Sequence, residues 1–406
     1  MTPRRAYLDY NASAPMLPQV VEALSSVFAQ PGNASSVHGE GRHYRKLIEA
    51  ARAQVAQLVN ADSDSVIFTG SATEAANLAL TPNIYSDGKS RPASKLYVLG
   101  TEHPCVLTGG RFAAHDIVHV PVHKNGVVDL EALQALLAAS GDQVPYLAIQ
   151  LVNSETGVIQ PVAEAAKMVR LRGGYVLCDA VQAVGRIKVD VKELGVDFVM
   201  LSAHKIGGPQ GVGALVSAHS VLSIPPAIKG GGQESNRRAG TENTAGIVGF
   251  GVAAEFAAEV AAQFAATGDG KFLQTIALRD SIEEQLLPIC ADNGLGDRLV
   301  IFGSDAERVG NTCLFSINGL NAETALIAFD LDGVAVSSGS ACSSGKVGSS
   351  HVLQAMGVAP ELARGAIRLS LGWNSTQEDV AHFEKSFRRI VARLAEMSDI
   401  KVAGAA

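Results

Sequence analysis

Residues 197–209 read Asp-Phe-Val-Met-Leu-Ser-Ala-His-Lys-Ile-Gly-Gly-Pro, and this stretch decides the fold. Its first six residues form a mostly apolar run typical of a buried strand, and its last three form a glycine- and proline-rich turn. Lys205 lies between the two. Ligands of open parallel sheets bind beyond the carboxyl ends of the strands, so the stretch predicts a reactive amine at the ligand-binding edge of an α/β sheet.

Short apolar runs followed by a loop or a helix recur along the first 260 residues or so of the chain. We predict strands at 66–69, 96–100, 146–152, 175–178 and 197–202. This alternation is typical of an α/β fold with a mostly parallel central sheet covered by helices. Near residue 262 a long apolar helix gives way to a polar, glycine-containing run, and we expect a hinge there.

A smaller α+β unit is expected after this hinge. We predict helices at 273–289, at 322–331 and from residue 376, and strands at 298–302, 312–317 and 366–371. The expected division is a large domain of residues 13–261 and a small domain of residues 1–12 and 262–406. The small domain would carry a mobile loop around Cys342.

The composition favours a globular protein that acts on a small substrate or a protein partner. The 406 residues are 47% hydrophobic and 18% charged, within the ordinary globular range. The net charge of −7, without a block of Lys or Arg, argues against direct nucleic-acid binding and against an anionic membrane surface. The apolar stretch 247–266 contains Glu255 and Glu259, so we expect a buried helix rather than a membrane span. The beginning of the chain does not resemble a secretory signal, and we expect a cytoplasmic protein.

Five cysteines show neither a Cys-x-x-Cys pair nor a Cys/His cluster at zinc spacing, so neither disulfides nor a metal site is expected. Cys178 and Cys313 lie in apolar runs typical of the core. Cys342 lies in a different setting, because ten of the fourteen residues 337–350 are Ser or Gly. That composition is typical of a flexible loop, and an exposed thiol there would be a hazard unless the protein used it.

Polar side chains follow the other predicted strands, as Lys205 does. They are Thr73 at a helix start, His103, Asn153 and Asp179. Taken singly, each has an ordinary structural interpretation as a helix cap, a surface histidine, a turn or a paired carboxylate. Together they provide a phosphate seat, a ring-stacking imidazole and an acid for a pyridine nitrogen 26 residues before a lysine. This combination favours a pyridoxal 5′-phosphate (PLP) site.

Eight short motifs carry a resemblance to a known family. They are Tyr-Leu-Asp-Tyr-Asn-Ala at 7–12, Gly-Asn-Ala-Ser-Ser-Val-His at 32–38, Ser-Ala-Thr-Glu-Ala-Ala-Asn-Leu-Ala at 71–79, Thr-Glu-His-Pro at 101–104, Asn-Ser-Glu-Thr-Gly at 153–157, Asp-Ala-Val-Gln-Ala-Val-Gly at 179–185, Ser-Ala-His-Lys at 202–205 and Ala-Gly-Thr-Glu-Asn at 239–243. With these motifs the sequence resembles, over nearly its whole length, the cysteine desulfurases of iron–sulfur cluster assembly, within the class-V aminotransferase family. The resemblance implies the fold type I architecture of PLP-dependent transferases.

The resemblance also implies roles for individual residues. By this resemblance Lys205 carries the cofactor, and His103 stacks on its ring and is a candidate base. Asp179 pairs with the ring nitrogen, Gln182 contacts the ring hydroxyl and Asn153 lies beside the cofactor. The phosphate is held by Thr73, Ser202 and His204, and Thr241 reaches the phosphate of a neighbouring subunit. The last contact implies a homodimer. Arg368 would bind the substrate carboxylate, with Asn33 and Asn153 nearby, since a guanidinium suits bidentate capture of a carboxylate.

The function implied is removal of sulfur from L-cysteine, giving L-alanine and a persulfide on Cys342. The segment around Cys342 is similar to that of the long-loop group of desulfurases. A sulfur-acceptor protein, either a cluster scaffold or a shuttle, would then receive the sulfur for iron–sulfur cluster or thio-cofactor synthesis. Two alternatives remain open at this point: a class-V aminotransferase or selenocysteine lyase that does not need Cys342, and a sulfur-delivery platform whose catalysis is vestigial.

Overall fold

The computed structural model describes residues 5–219, 222–267, 271–339 and 350–403, with the backbone alone for 264–267, 271–272 and 398–403. Cys342 and its predicted loop lie outside the described residues. The strands are β1 (Ala6–Tyr7), β2 (Val66–Thr69), β3 (Tyr85–Ser86), β4 (Lys89–Ser90), β5 (Lys95–Leu99), β6 (Ile117–Val120), β7 (Pro145–Gln150), β8 (Tyr175–Asp179), β9 (Phe198–Ser202), β10 (Gly213–Ser217), β11 (Leu222–Ser223), β12 (Leu299–Ile301), β13 (Thr312–Ile317), β14 (Val334–Ala335), β15 (Ser337–Ser338) and β16 (Ile367–Ser370).

The α-helices surround these strands. They are α1 (Pro18–Phe28), α2 (Gly39–Leu58), α3 (Ala72–Ala79), α4 (Pro104–Leu107), α5 (Leu130–Ala139), α6 (Val162–Arg170), α7 (Val191–Leu194), α8 (Thr244–Thr267), α9 (Lys271–Ala291), α10 (Ala322–Leu331), α11 (His351–Ala355), α12 (Pro360–Ala363) and α13 (Gln377–Ala403). Short 3₁₀ turns, such as Ala203–Lys205 after β9, complete the described secondary structure.

The central sheet has seven strands in the order β2-β10-β9-β8-β7-β5-β6. Strand β10 runs antiparallel to both of its neighbours, and the other pairs are parallel. All residues of β7, β8 and β9 are buried, as expected for strands covered by helices on both faces. The mostly parallel, helix-covered sheet predicted from the sequence is confirmed.

Several predicted strands are one or two residues shorter in the structure, and one of these differences bears on the site. The strand expected at 146–152 ends at Gln150, because the chain then turns and Val152 pairs instead with Ile159 in an isolated bridge. The side-chain oxygen of Asn153 closes this turn by accepting the backbone N–H groups of Glu155 and Thr156. This turn brings residues 153–156 to the carboxyl edge of the sheet.

A second sheet, with the antiparallel order β12-β13-β16-β15, packs with α9, α10 and α13. Its core includes Ala6 and Leu8 from the beginning of the chain, and β1 pairs with β14. The polypeptide therefore starts in the second unit before it enters the first. These separate cores support the proposed division into residues 13–261 and residues 1–12 with 262–406.

Helix α8 runs into the polar stretch 263–271 in which a hinge is expected, and the glycine-containing part of that stretch, residues 268–270, lies outside the described residues. The helix continues through Thr267, because the residues around the expected hinge are rich in alanine, which has the highest helix propensity. By length and composition, Thr244–Gln263 could cross a membrane, but half of this stretch is buried inside the protein. Since α8 packs against α1 and α2, it is a core helix of the large unit.

Candidate active site

The strands of the central sheet end around a cavity of about 220 Å³. Eight of the predicted site residues line it: Thr73, His103, Asp179, Gln182, Ser202, His204, Lys205 and Arg368. The first seven come from the large unit, and Arg368 comes from β16 of the second sheet. The cavity thus lies where the two units meet, beyond the carboxyl ends of the strands, as is usual for α/β folds.

Asp179 is the last residue of β8, a central strand, and its carboxyl group is buried. Its Oδ1 accepts the backbone N–H of Val181 at 2.9 Å. Burial nevertheless raises the pKa of Asp179 to about 6, and the hydrogen bond from Val181 and the charge of Lys205 offset only part of this shift. The ionised form of this buried carboxyl group would be stabilised by a cationic ring nitrogen in the cavity.

Lys205 is held by the beginning of the chain. Its Nζ donates hydrogen bonds to the main-chain oxygens of Asn11, at 2.6 Å, and Ala12, at 2.9 Å. The 3₁₀ turn Ala203–Lys205 directly after β9 carries the amine into the cavity, as the sequence predicts. The ammonium group is thereby oriented before any ligand binds.

His103 caps α4, and Pro104 occupies the first helical position, where proline is favoured. Its Nδ1 accepts the backbone N–H of Cys105 at 3.2 Å and lies 3.0 Å from the Cys105 sulfur. Because Nδ1 is the acceptor, we assign the ring proton to Nε2. Burial lowers the pKa of His103 to about 4, with a smaller contribution from the charge of Lys205, so the ring is neutral at neutral pH.

Helix α3 begins at the cavity beside Thr73. Ser71 caps the helix by accepting the backbone N–H of Glu74 at 3.1 Å, which leaves first-turn N–H groups such as that of Thr73 without a partner inside the helix. Gly213 of β10 makes room for this helix start, because an added Cβ there would lie 2.6 Å from the carbonyl carbon of Ser71. Backbone N–H groups at a helix N-terminus form a suitable seat for a phosphate.

Gln182 is held from two sides. Its Nε2 donates to the main-chain oxygen of Asn11 at 3.0 Å, and its Oε1 accepts a hydrogen bond from Arg186. Burial, and then the nearby charge of Arg368, lower the pKa of the Arg186 guanidinium to about 9. The sequence analysis missed Arg186, since a basic residue one turn after a glutamine is too common to be a signal.

Arg368 is the largest of the fully buried side chains. Its Nη2 donates to Asp9 Oδ1 at 2.7 Å and its Nη1 donates to the Ser154 oxygen at 3.3 Å. Its Nε has no hydrogen-bond partner among the described residues. A buried guanidinium at the cavity with hydrogen-bonding capacity left over suits the carboxylate of a substrate.

Three predicted site residues do not line the cavity of their own chain. Asn153 is buried, but its amide is engaged with Thr101 and Gln150 and its oxygen closes the turn after β7. Asn33 is exposed, and its side chain accepts the backbone N–H of Ser35. Thr241 is also exposed. The ligand contacts of these residues remain predictions.

The segment before Thr241 is fixed by a buried ion pair that the sequence analysis missed. Arg52 of α2 donates to both oxygens of Glu234, at 2.7 and 2.9 Å, and the Phe68 backbone N–H donates to the same carboxylate. Residues 234–236 all have positive φ angles, which non-glycine residues rarely adopt. The ion pair therefore holds a strained turn at the edge of β2.

Comparisons with known proteins show similarity over nearly the whole chain. The family model "Aminotransferase class-V" matches residues 6–383. A cysteine desulfurase IscS from Dictyoglomus turgidum is 38% identical over 98% of this chain and 97% of its own length. Another from Anaeromyxobacter sp. is 37% identical over 97% of this chain and 94% of its own. A crystal structure of a NifS-like protein from Rickettsia africae superposes with a TM-score of 0.83 at 34% identity, covering 95% of this chain and 99% of that one.

The protein is thus a fold type I, PLP-dependent enzyme by architecture. The chain belongs to the class-V aminotransferase family, in its cysteine desulfurase branch. The resemblance seen in the sequence motifs is confirmed. One cavity is lined by a buried carboxyl group that a cation would stabilise (Asp179), an amine (Lys205) and the start of α3, which can bind a phosphate. These groups fit the cofactor.

Asp179→Asn tests whether burial of the ionised carboxyl group lowers the free energy of unfolding of the protein without cofactor. A folded-state pKa of about 6 lies above the ordinary value of 3.8, so the folded protein binds the proton more tightly and loses stability as pH rises through this window. Apo Asp179→Asn should therefore be more stable than apo wild type at pH 8, by about 3 kcal/mol, with the gap closing near pH 4. Urea unfolding at both pH values measures this difference. A constant gap across pH would contradict it.

Gly213→Ala tests the phosphate seat. The added Cβ would meet the start of α3, so the helix must shift and the affinity for PLP should fall by about tenfold or more, equivalent to roughly 1.4 kcal/mol. Gly39→Ala is the matched control, because a Cβ there meets no atom within 4 Å. Titration of the apo variants with PLP by absorbance gives both affinities, and an equal affinity for the two variants would argue against a seat at α3.

Proposed function

We propose that this protein is a PLP-dependent cysteine desulfurase that takes sulfur from L-cysteine, forms L-alanine and holds the sulfur as a persulfide on Cys342. The observation that carries the proposal is the gathering of Lys205, Asp179 and Arg368 around one cavity in a chain similar to cysteine desulfurases over nearly its whole length. The proposed product of the pathway is sulfur for iron–sulfur clusters or thio-cofactors.

Several residues of the large unit would hold the cofactor. Lys205 would bind it covalently, Asp179 would pair with its ring nitrogen, Gln182 would face its ring hydroxyl, and Thr73 and His204 would hold the phosphate. When bound, PLP withdraws electrons from the carbon skeleton of an amino acid. Ser202, at the end of β9, is the further hydroxyl that we assign to the phosphate.

Arg368 would hold the carboxylate of L-cysteine. Asp9 already pairs with one end of its guanidinium, and the Nε–H group, which has no partner among the described residues, is left as a donor for the substrate. The carboxylate of cysteine would then be fixed at the junction of the two units. Asn33 and Asn153 remain proposed neighbours of this carboxylate, although neither lines the cavity.

The hydrogen bonds of His103 favour a role in stacking on the cofactor ring over a role as a general base. Its Nδ1 is occupied by the Cys105 backbone N–H, and in the assigned tautomer Nε2 carries the proton. To act as a base at Nε2, the ring would have to give up this arrangement first. The base role predicted from the sequence therefore needs a proton transfer that precedes sulfur transfer.

The sulfur step exchanges one covalent bond for another. The Cys342 sulfur attacks the sulfur of the substrate, the S–S bond forms as the C–S bond breaks, and the electron pair of that bond remains with the substrate carbon. That carbon takes up a proton, and the product is released as alanine. In this exchange the two sulfur atoms are oxidised and the carbon is reduced. No external oxidant is needed, and the persulfide is then available to an acceptor protein.

Several finer statements belong to the same proposal. Thr241 is exposed and lies outside the cavity of its own chain, as expected if it serves the phosphate of a second subunit in a homodimer. We also propose a cytoplasmic location and a cluster scaffold or a shuttle protein as the sulfur acceptor. A class-V aminotransferase or selenocysteine lyase activity is the alternative, and it differs in not needing Cys342.

Cys342→Ser and Cys105→Ala together test which thiol carries the sulfur. Cys105 lines the cavity, but burial raises the pKa of its thiol to about 12, so it is a poor nucleophile at neutral pH. The Cys342→Ser variant should bind PLP and lose at least 100-fold in alanine formation from L-cysteine, since a removed nucleophile costs several kcal/mol of transition-state stabilisation. The Cys105→Ala variant should still form a persulfide on Cys342, detected by mass spectrometry. Sulfur release by Cys342→Ser would overturn the proposed function.

A further inference from the structure

A second cavity, of about 80 Å³, lies between the two units and shares only Lys205 with the lining of the candidate active site. Neither the family resemblance nor the proposed mechanism assigns it a role. Much of its wall is apolar, because helix α8 contributes Phe256, Ala257 and Val260, and the second unit contributes Leu371. A ligand in this cavity would therefore need an apolar part.

Two further aromatic side chains line the cavity, and both have their polar groups engaged elsewhere. The Tyr10 hydroxyl donates to the Asn374 side-chain oxygen, and Trp373 Nε1 donates to the Pro15 oxygen at 3.0 Å. Neither Asn374 nor Pro15 lines the cavity. These hydrogen bonds leave the aromatic rings as apolar contact surface for a ligand.

Arg186 brings a positive charge to this apolar cavity. The residue is 8% exposed and is part of the cavity lining. Its Nη1 donates to the main-chain oxygen of Gln182 at 2.7 Å and to the side-chain oxygen of the same residue. Among the described residues Arg186 pairs with no carboxylate, and its nearest charged neighbour of note, Arg368, has the same sign. A buried cation without a counter-ion is costly, so an anion in the cavity would stabilise the protein.

The guanidinium of Arg186 has one edge left for that anion. Its Nε and Nη2 atoms form no hydrogen bond with a described residue, and both remain accessible although the residue is largely buried. These two atoms lie on the same edge of the guanidinium, and such an edge holds a carboxylate through two parallel hydrogen bonds. The ligand must also be small, since a cavity of about 150 Å³ takes one benzene molecule.

We propose that this cavity is a second ligand site, which binds a short aliphatic carboxylate with its oxygens on Arg186 and its alkyl group against α8. The site does not depend on the proposed desulfurase activity, because Arg368 and Asp179 are not part of its lining. It is nevertheless connected to the candidate active site. Arg186 donates to Gln182, and Gln182 donates to the same Asn11 oxygen that accepts a hydrogen bond from Lys205.

Propionate binding to the holoenzyme is the direct test. Propionate has a carboxylate and only two further carbons, so it matches the charge of Arg186 and the small volume of the cavity. Saturation-transfer NMR on its methyl group, at constant ionic strength, gives the dissociation constant. The uncharged analogue n-propanol has the same alkyl group, and it should bind at least about tenfold more weakly because it cannot form the charge-assisted hydrogen bonds.

Four variants locate the bound propionate. Arg186→Gln removes the charge, and Ala257→Met fills the cavity from α8, so each should weaken binding by about tenfold or more. Ala262→Met is the matched control for the second change, because Ala262 is exposed on the same helix, and this variant should bind as wild type does. Arg368→Gln removes the proposed carboxylate site for cysteine and should retain propionate binding at the second cavity.

The comparison of Ala257→Met with Ala262→Met does not require substitution of a buried charge, and it decides the location even if Arg186→Gln fails to fold. Equal propionate affinities in these two variants would overturn the proposed site. Unchanged affinity in a folded Arg186→Gln protein, or equal affinities for propionate and n-propanol, would overturn recognition of the carboxylate by Arg186. Loss of binding in Arg368→Gln alone would place propionate in the candidate active site, and that outcome or the absence of binding to wild type would also overturn the inference.

Discussion

The main-chain oxygen of Asn11 accepts hydrogen bonds from both Lys205 Nζ and Gln182 Nε2, and the rest of the site depends on this contact. The Asn11 side chain donates to Thr312, and its backbone N–H donates to Ser370, so the same residue is fixed to the second sheet. Hydrogen bonds to a charged ammonium group contribute about 1.5–3 kcal/mol each. One buried residue thereby sets the position of the cofactor-binding lysine relative to the unit that supplies Arg368.

Three buried carboxyl groups, one of them lining the cavity, have their charged forms disfavoured by burial. The pKa of Asp179 is raised to about 6 and that of Glu155 to about 7. The pKa of Glu102 is raised well above its usual value by burial and then by the charge of Asp179, and its Oε2 has no hydrogen-bond partner among the described residues. A positive charge brought into the cavity by a ligand would stabilise the ionised form of Asp179, which lines it.

Much of this arrangement could be predicted from the sequence, because strand ends and motifs are local features. The strand at 66–69 and the positions of Asp179 and Lys205 at strand ends follow from apolar runs and turn residues. The contacts of Asn11, Asp9 and Glu155 could not be predicted, since each joins parts of the chain separated by more than 100 residues. The motif around Asn11 marked a family resemblance but gave no sign that its main-chain oxygen holds the lysine.

The end of helix α8 shows a different limit of sequence reasoning. Polar and glycine residues after the apolar run predict a hinge but not where the helix ends, and the alanines extend α8 through Thr267, into the polar stretch. Helix propensity summed over several alanines outweighs a few polar residues on an exposed face. Asn33 and Thr241 lie outside the cavity for another reason: their roles come from the family resemblance alone, and no local feature of the sequence places an exposed residue relative to the cavity.

We propose that Lys205, held by residues 11 and 12, carries the cofactor. Borohydride reduction of the holoenzyme, followed by proteolysis and mass spectrometry of the pyridoxyl-labelled peptide, tests this assignment. One label is expected, on Lys205, and it should be lost from a folded Lys205→Ala protein. A label on another lysine, or no covalent label in a protein saturated with PLP, would contradict it.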